Sequence, residues 1–296
     1  MPPHDQPPAS DVQYGTTLQW VTYQPTVMGP DGTTRWPVIV LLHVGNYKGG
    51  DFYHSFSTAP EDLRDAGFYV IVADYPLAPP RSIKGQSLTD TNAGRYPQQT
   101  RAVEAIIDAA KNDLHCYMGL VGVLGGSAGA SHAAYVALDV TNTGTNVWPF
   151  WNSTARPKCV VGLSGQYDFS DRDQDVIDNR NYIRDIENYT KSATLYTQWA
   201  DSPVGLVSTT STFIPMYFLR SMSDSGSPAS TQDYLWLALT QAQVDPALFR
   251  MWSVPPAENS DHAFALWQDY TDDTFPNQGL RVKDRVISFF QQYLHP

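Results

Sequence analysis

Short runs of β-branched and aliphatic residues, bounded by turn-forming positions, recur along the chain and alternate with stretches whose apolar residues fall at helical spacing. Runs that are apolar at every position, not at every second one, mark strands buried on both faces. Such strands separated by amphipathic helices build a parallel sheet covered on both sides. Residues 38–42, 68–73, 121–124, 160–163 and 214–219 are predicted as buried strands, with a late strand over 249–254. Residues 18–23 alternate apolar and polar positions, which predicts a half-exposed antiparallel strand near the sheet edge. Helices are predicted over 100–111, where Val103, Ile106 and Ile107 share a face, over the alanine-rich 127–138, and over 234–242 and 282–293.

Two stretches break the alternation. Residues 139–157 contain Trp148, Phe150 and Trp151, and residues 171–207 are dense in Asp, Arg, Asn and Tyr. Both are expected as excursions above the strand ends, where this class of fold builds pocket walls. Residues 1–11 are polar and Pro-rich and are expected to form a frayed tail. With no internal repeat, low-complexity segment or Pro/Gly linker, residues 12–296 are expected to form a single domain.

Composition narrows the function classes. The 296 residues are 42% hydrophobic, enough for a sizeable core that needs neither a metal nor disulfides. The two cysteines, Cys116 and Cys159, are expected as free buried thiols. The net charge of −11 argues against a nucleic-acid partner, which needs a clustered basic face. No apolar run reaches the roughly 18 residues of a membrane span. The chain is expected to be soluble, without a membrane partner; a secreted mature form fits as well as an internal one. No His/Cys/Asp cluster has metal-ligand spacing, so neither a metal nor a cofactor is expected.

The strongest chemical signal is Gly125-Gly126-Ser127-Ala128-Gly129, which follows an apolar strand and opens an alanine-rich helix. A strand-to-helix turn this sharp accepts only small neighbours and lifts the serine hydroxyl to the top of the sheet, at a helix N-terminus. The bland alternative is a tight connection with a capping serine. A serine hydroxyl is a poor nucleophile near neutral pH and needs a histidine base oriented by a carboxylate. Of seven histidines, His4 lies in the tail, His43 ends a strand, His54 and His132 are expected near helix starts, His115 precedes a strand and His295 is almost terminal. His262 remains, in a loop after the last strand. The chain order Ser, Asp, His then predicts a carboxylate just past the strand over 214–219, where Asp224 stands; Asp233, Asp245 and Asp261 are competitors. Donors for a developing oxyanion are expected from the main chain of Val44 and Gly45, at the end of a strand, and of Ala128, the residue after the serine.

Taken together, these residues resemble an α/β-hydrolase of the esterase/lipase type, related to the hormone-sensitive lipase and feruloyl esterase-like (BD-FAE) groups. His43-Val-Gly-Asn resembles the His-Gly-Gly-Gly oxyanion motif, and Asp74-Tyr-Pro-Leu-Ala-Pro resembles the Asp-Tyr-Arg-Leu-Ala-Pro segment. Gly126-Ser127-Ala128-Gly129 resembles the nucleophile elbow, and Ser164-Gly-Gln-Tyr-Asp168, Asp201-Ser-Pro203 and Asp261-His262-Ala-Phe264 resemble further landmarks in the same order. Val44 stands where a glycine is usual and Pro76 where an arginine is usual. The resemblance implies an α/β-hydrolase fold, with a mostly parallel central sheet and helices on both faces, and a serine carboxylesterase acting on a small-molecule ester. Too little chain precedes Leu18 for the N-terminal helical cap of hormone-sensitive-lipase relatives, so residues 171–207 are expected as the lid, and its many charges predict short-chain or compact aryl esters. An amide hydrolase such as an arylformamidase has the same triad; a non-catalytic ligand receptor on the same fold is a further alternative.

Overall fold

The runs that are apolar at every position lie at the centre of one sheet, where side chains on both faces are covered. The computed structural model describes residues 4–5, 9–11, 16–52, 56–78, 94–140, 156–172, 180–224, 226–255, 262–269 and 280–295. Its strands are β1 (His4–Asp5), β2 (Ala9–Asp11), β3 (Thr16–Leu18), β4 (Trp20–Tyr23), β5 (Trp36–Leu42), β6 (Tyr69–Ala73), β7 (Cys116–Gly126), β8 (Leu138–Val140), β9 (Cys159–Leu163), β10 (Thr210–Phe213), β11 (Met216–Ser221) and β12 (Phe249–Val254). Eight of them form a sheet in the order β1-β4-β6-β5-β7-β9-β11-β12. From β6 to β12 every neighbouring pair is parallel, while β4 joins β6 and β1 joins β4 antiparallel.

The helices are α1 (Ala59–Asp65), α2 (Gln98–Asn112), α3 (Ala128–Ala137), α4 (Arg180–Thr190), α5 (Leu195–Ala200), α6 (Pro203–Val207), α7 (Ala229–Gln241) and α8 (Val282–Leu294). Alternate residues of β5 point to opposite layers, as the two-residue period of a strand requires. Val38, Val40 and Leu42 pack with α2, α3 and α7, and Ile39 and Leu41 pack with α1 and α8. Every residue of α3 is buried, which explains its alanine content: a helix wedged against β7 and β9 leaves room for little more than a methyl group.

Several expectations shift. The strand expected over 18–23 is β4 alone, because Leu18 belongs to β3 and pairs with Ala9 of β2; it is not half-exposed, since the adjacent Val21 and Thr22 are both buried. The expected frayed tail supplies β1 and β2; His4 and Asp5 pair with Thr22 and Val21, covering main-chain groups that an edge strand leaves open. The run expected over 214–219 is β11, Met216–Ser221, since Pro215 has no ladder N–H and marks its start. Helix α7 begins at Ala229, after Pro228 in extended conformation, earlier than periodicity predicts.

The excursion expected over 139–157 begins as β8, which pairs with β10; Trp148, Phe150 and Trp151 lie outside the described residues. Residues 171–207, expected as a polar lid, are fastened to the core in their described part. Tyr182, Ile186 and Tyr189 of α4 join the same apolar cluster as β5. Asp171 and Asp185 point inward, the first accepting from the Ser230 hydroxyl and the second paired with Lys48 Nζ at 2.6 Å. Of the acidic residues in this stretch, Asp173, Asp175 and Asp178 lie outside the described residues, while Asp171 and Asp185 are buried and do not face solvent. Cys116 and Cys159 are buried and unpaired. No described helix is long and apolar enough to cross a membrane.

Candidate active site

The parallel strands end along one edge of the sheet, and three loops meet there. β7 runs straight into α3 through Ser127, whose φ of 54° and ψ of −119° are a strained conformation for a residue with a side chain. The Ser127 N–H donates to the Leu163 carbonyl at 2.8 Å, so the turn is fixed by the neighbouring strand β9. The residues beside the serine must be small because other chain segments press on them. A Cβ added at Gly126 would lie 2.7 Å from the Phe264 ring and 2.9 Å from Val44 Cγ1, and one at Gly129 would lie 2.7 Å from the His43 carbonyl. The loop carrying Val44 and Gly45, the Ser127 turn and the segment from His262 to Phe264 are therefore in contact.

His262 and Asp224, separated by 38 positions, are joined by a hydrogen bond of 2.9 Å from Nδ1 to Oδ1. The Asp224 carboxylate is almost fully enclosed, its side chain 2% exposed against 25% for His262. Its Oδ1 also accepts from the main-chain N–H groups of Gly226 and Ser227 at 2.8 and 3.0 Å. Three donors on one oxygen hold the carboxylate rigidly, and the Nδ1–H···O bond fixes the tautomer in which His262 Nε2 is an acceptor. Glycine is required at 226 because the imidazole lies flat on its backbone: an added Cβ would stand 2.6 Å from His262 Nδ1.

The competitors are elsewhere. Asp233 lies on α7 with its side chain 70% exposed, facing Arg220 at 3.5 Å. Asp245 caps a short helical turn through the Ala247 N–H. Asp261 and His54 lie outside the described residues. His132, expected near a helix start, sits inside α3 and is fully buried; Thr100 Oγ1 and Gln99 Oε1 bracket its ring at 3.0 and 2.9 Å. His115 stacks on Tyr69, and His295 packs against Phe68. Among the described residues no group of three or more His, Cys, Asp or Glu side chains could hold a metal ion.

Sequence reasoning assigned no role to Ser164, the first residue after β9, and the structure makes it a junction. Its N–H donates to the Leu219 carbonyl, its hydroxyl accepts from the Ala263 N–H at 3.0 Å, and its carbonyl accepts from the Ser227 hydroxyl at 2.8 Å. It thus ties the His262 loop to the Asp224 loop. The available signal was a polar residue directly after a fully apolar run, at the strand end where the other site residues emerge.

No known family model matches the sequence, and no curated protein matches it. Solved structures do match the fold. A propionate-bound esterase, Est2, from Thermogutta terrifontis superposes with a TM-score of 0.65, at 16% identity, over 99% of this chain and 96% of that one. The same organism's esterase 2 phosphonylated by sarin gives 0.68, at 14% identity, over 100% and 97%. The chain has the α/β-hydrolase fold. A third match, an acetyl ester-xyloside bifunctional hydrolase from Caldicellulosiruptor lactoaceticus, gives 0.56 at 16% identity, over 85% of this chain and 82% of that one. Within this fold Ser127 lies at the turn between β7 and α3, and Asp224 and His262 come after β11 and β12.

Proposed function

We propose that this protein is a serine carboxylic-ester hydrolase that acts on short-chain or compact aryl esters through an acyl-enzyme. The observation that carries the reading is the His262–Asp224 pair held beside the strained Ser127 turn, since Phe264 packs on Gly126 only two residues from the imidazole. In this reading His262 Nε2 removes the Ser127 proton as Oγ attacks the ester carbonyl. The proton then passes to the leaving alcohol as the C–O bond breaks, and water repeats the sequence on the acyl-enzyme. Asp224 holds the imidazole in the useful tautomer and stabilises its charged form. The N–H groups of Val44, Gly45 and Ala128 are the assigned oxyanion donors; the contact of Gly129 with the His43 carbonyl supports bringing these two segments to one point.

The related folds bear on the substrate class. The Thermogutta esterase is seen with propionate in one structure and phosphonylated by sarin in another. By that likeness, short acyl groups and a phosphorylatable Ser127 are assigned to this chain. The test is kcat/KM for p-nitrophenyl esters from acetate to palmitate below their micellar limits, with an aryl formamide alongside and Ser127→Ala as control. Turnover of short esters, together with an organophosphate adduct mapped to Ser127 by peptide mass spectrometry, is the expected result. An optimum at dodecanoate or longer would refute the short-chain assignment. A formamide turned over faster than the ester would reassign the enzyme as an amide hydrolase.

A further inference from the structure

His43 follows β5 with its ring fully buried and stacked on Tyr75, 4.0 Å between centroids and 9° between planes. Its Nδ1 lies 2.8 Å from the Val44 carbonyl oxygen. A carbonyl only accepts, so Nδ1 carries a proton. A neutral ring then presents Nε2 as a bare acceptor, and that atom faces Asp74 Oδ1 at 3.8 Å. Both atoms are buried, and among the described residues neither has a hydrogen-bond partner. Two acceptors facing each other repel, and the gap is too long for a direct hydrogen bond. One proton held by the pair removes the repulsion, either as a neutral carboxylic acid beside the imidazole or as an imidazolium facing the carboxylate within ion-pair distance.

The consequence reaches the Ser127 site through one peptide unit. The Val44 carbonyl and the Gly45 N–H are the two ends of the same planar group, so whatever fixes the direction of one fixes the other. Tyr75 steadies the preceding peptide by donating its hydroxyl to the His43 carbonyl at 2.8 Å.

We propose that Asp74 is a positioning residue: with His43 it holds one proton, and that proton keeps the ring in the Nδ1–H form that fixes the peptide carrying the Gly45 N–H. The proposal rests on the esterase reading above and deepens it. When the shared proton leaves to solvent, the carboxylate draws the remaining ring proton to Nε2. Nδ1 then faces the Val44 oxygen as an acceptor, and the peptide is released. The described titratable groups that act on the pair are Asp51, His132 and Tyr75, while the Phe52 main-chain N–H donates to the carboxylate. Burial pushes the Asp74 carboxyl up to about 6, with Asp51 adding to the rise and the Phe52 N–H opposing it, and burial lowers His43. The shared proton is therefore present on the acid side of neutrality and lost on the alkaline side.

The test uses the full chain carrying Ser127→Ala, with isotope-labelled histidine, followed by NMR from about pH 5 to about pH 8. At the acid end His43 is expected to show a protonated Nδ1 and an acceptor Nε2, and one transition should follow as the pH rises. Asp74→Asn carries neither a charge nor a titrating proton at any pH and should abolish that transition. With Ser127 restored, the ratio of kcat for Asp74→Asn to wild type on p-nitrophenyl acetate should rise about tenfold from the acid to the alkaline end, with little change in KM. That is part of the 10²–10³ that one oxyanion donor is worth. A His43 signal that stays flat in the parent chain, or that titrates unchanged in Asp74→Asn, overturns the shared proton. Parallel pH profiles for the two enzymes overturn its link to catalysis. Absence of ester turnover in the wild type would be the failure of the esterase reading alone, because the NMR arm still decides whether the proton is shared.

Discussion

The main-chain N–H of Ala263 donates to the Ser164 hydroxyl at 3.0 Å, which ties the residue after His262 to the end of β9. Ala263 holds a positive φ of 53°, so this bond keeps in place a backbone turn that alanine does not favour by itself. Ser164→Ala leaves a buried N–H without its acceptor, at a cost of about 1–3 kcal/mol in unfolding free energy. The loss in kcat is expected to exceed what that destabilisation explains, because the His262 loop moves while the rest of the sheet does not. Denaturant unfolding and steady-state kinetics on the same preparation check both parts.

Ser127→Ala, His262→Ala and Asp224→Asn should each lower kcat for p-nitrophenyl acetate by about 10³ or more with far-UV circular dichroism unchanged, since members of a triad act as one unit. Combining two of the substitutions should cost scarcely more than one. If Asp224→Asn were silent while Asp233→Asn was inactive, the carboxylate role would pass to Asp233 despite its exposed position.

Gly226→Ala is a sharper probe of the imidazole's position. The new methyl group would stand 2.6 Å from His262 Nδ1, so the ring must shift away from Asp224. The expected outcome is a loss of kcat of about 10-fold or more with KM nearly constant, because small misplacements of a catalytic group act on the chemical step. Kinetics near those of the parent chain would show that the His262–Asp224 bond tolerates displacement.

His132 gives the fold an acid limit. Burial inside α3 lowers its pKa to about 3. The folded state therefore holds a neutral imidazole where the unfolded chain takes up a proton at about 6.5. With the folded value depressed, its contribution is fully present above about pH 6.5 and is lost as pH falls toward 3. One proton gives a slope of up to about 1.4 kcal/mol per pH unit. His132→Gln should flatten the unfolding free energy across that window, measured by urea titration at several pH values.

Asp201 behaves in the opposite sense. Burial raises its carboxyl to about 7, with Lys191 opposing the rise. Because the folded value is raised, stability is fully present below the unfolded value of about 3.9 and declines as pH climbs through 7. Asp201→Asn should remove this decline and raise the melting temperature at alkaline pH more than at pH 5 or so. Equal shifts at both pH values would show that the carboxyl ionises freely in the fold.

The sequence by itself determined the layered fold and the chain order of the candidate site residues. Uninterrupted apolar runs such as Val38 to Leu42 can be satisfied only in strands covered on both faces, and glycines around Ser127 can be satisfied only in a turn too tight for side chains. Chain order, with the other histidines eliminated by position, pointed to Asp224 and His262, which lie 2.9 Å apart. The inward-facing carboxylates of Asp171 and Asp185 look like surface charges in a string of letters, because their partners Ser230 and Lys48 are far away along the chain. Only the tertiary structure joined them, and only it could make Ser164 a junction of two loops or set His43 against Asp74. Hydrophobic burial imposes a period that a sequence must display, whereas a hydrogen bond between distant residues needs one donor and one acceptor and leaves no local pattern.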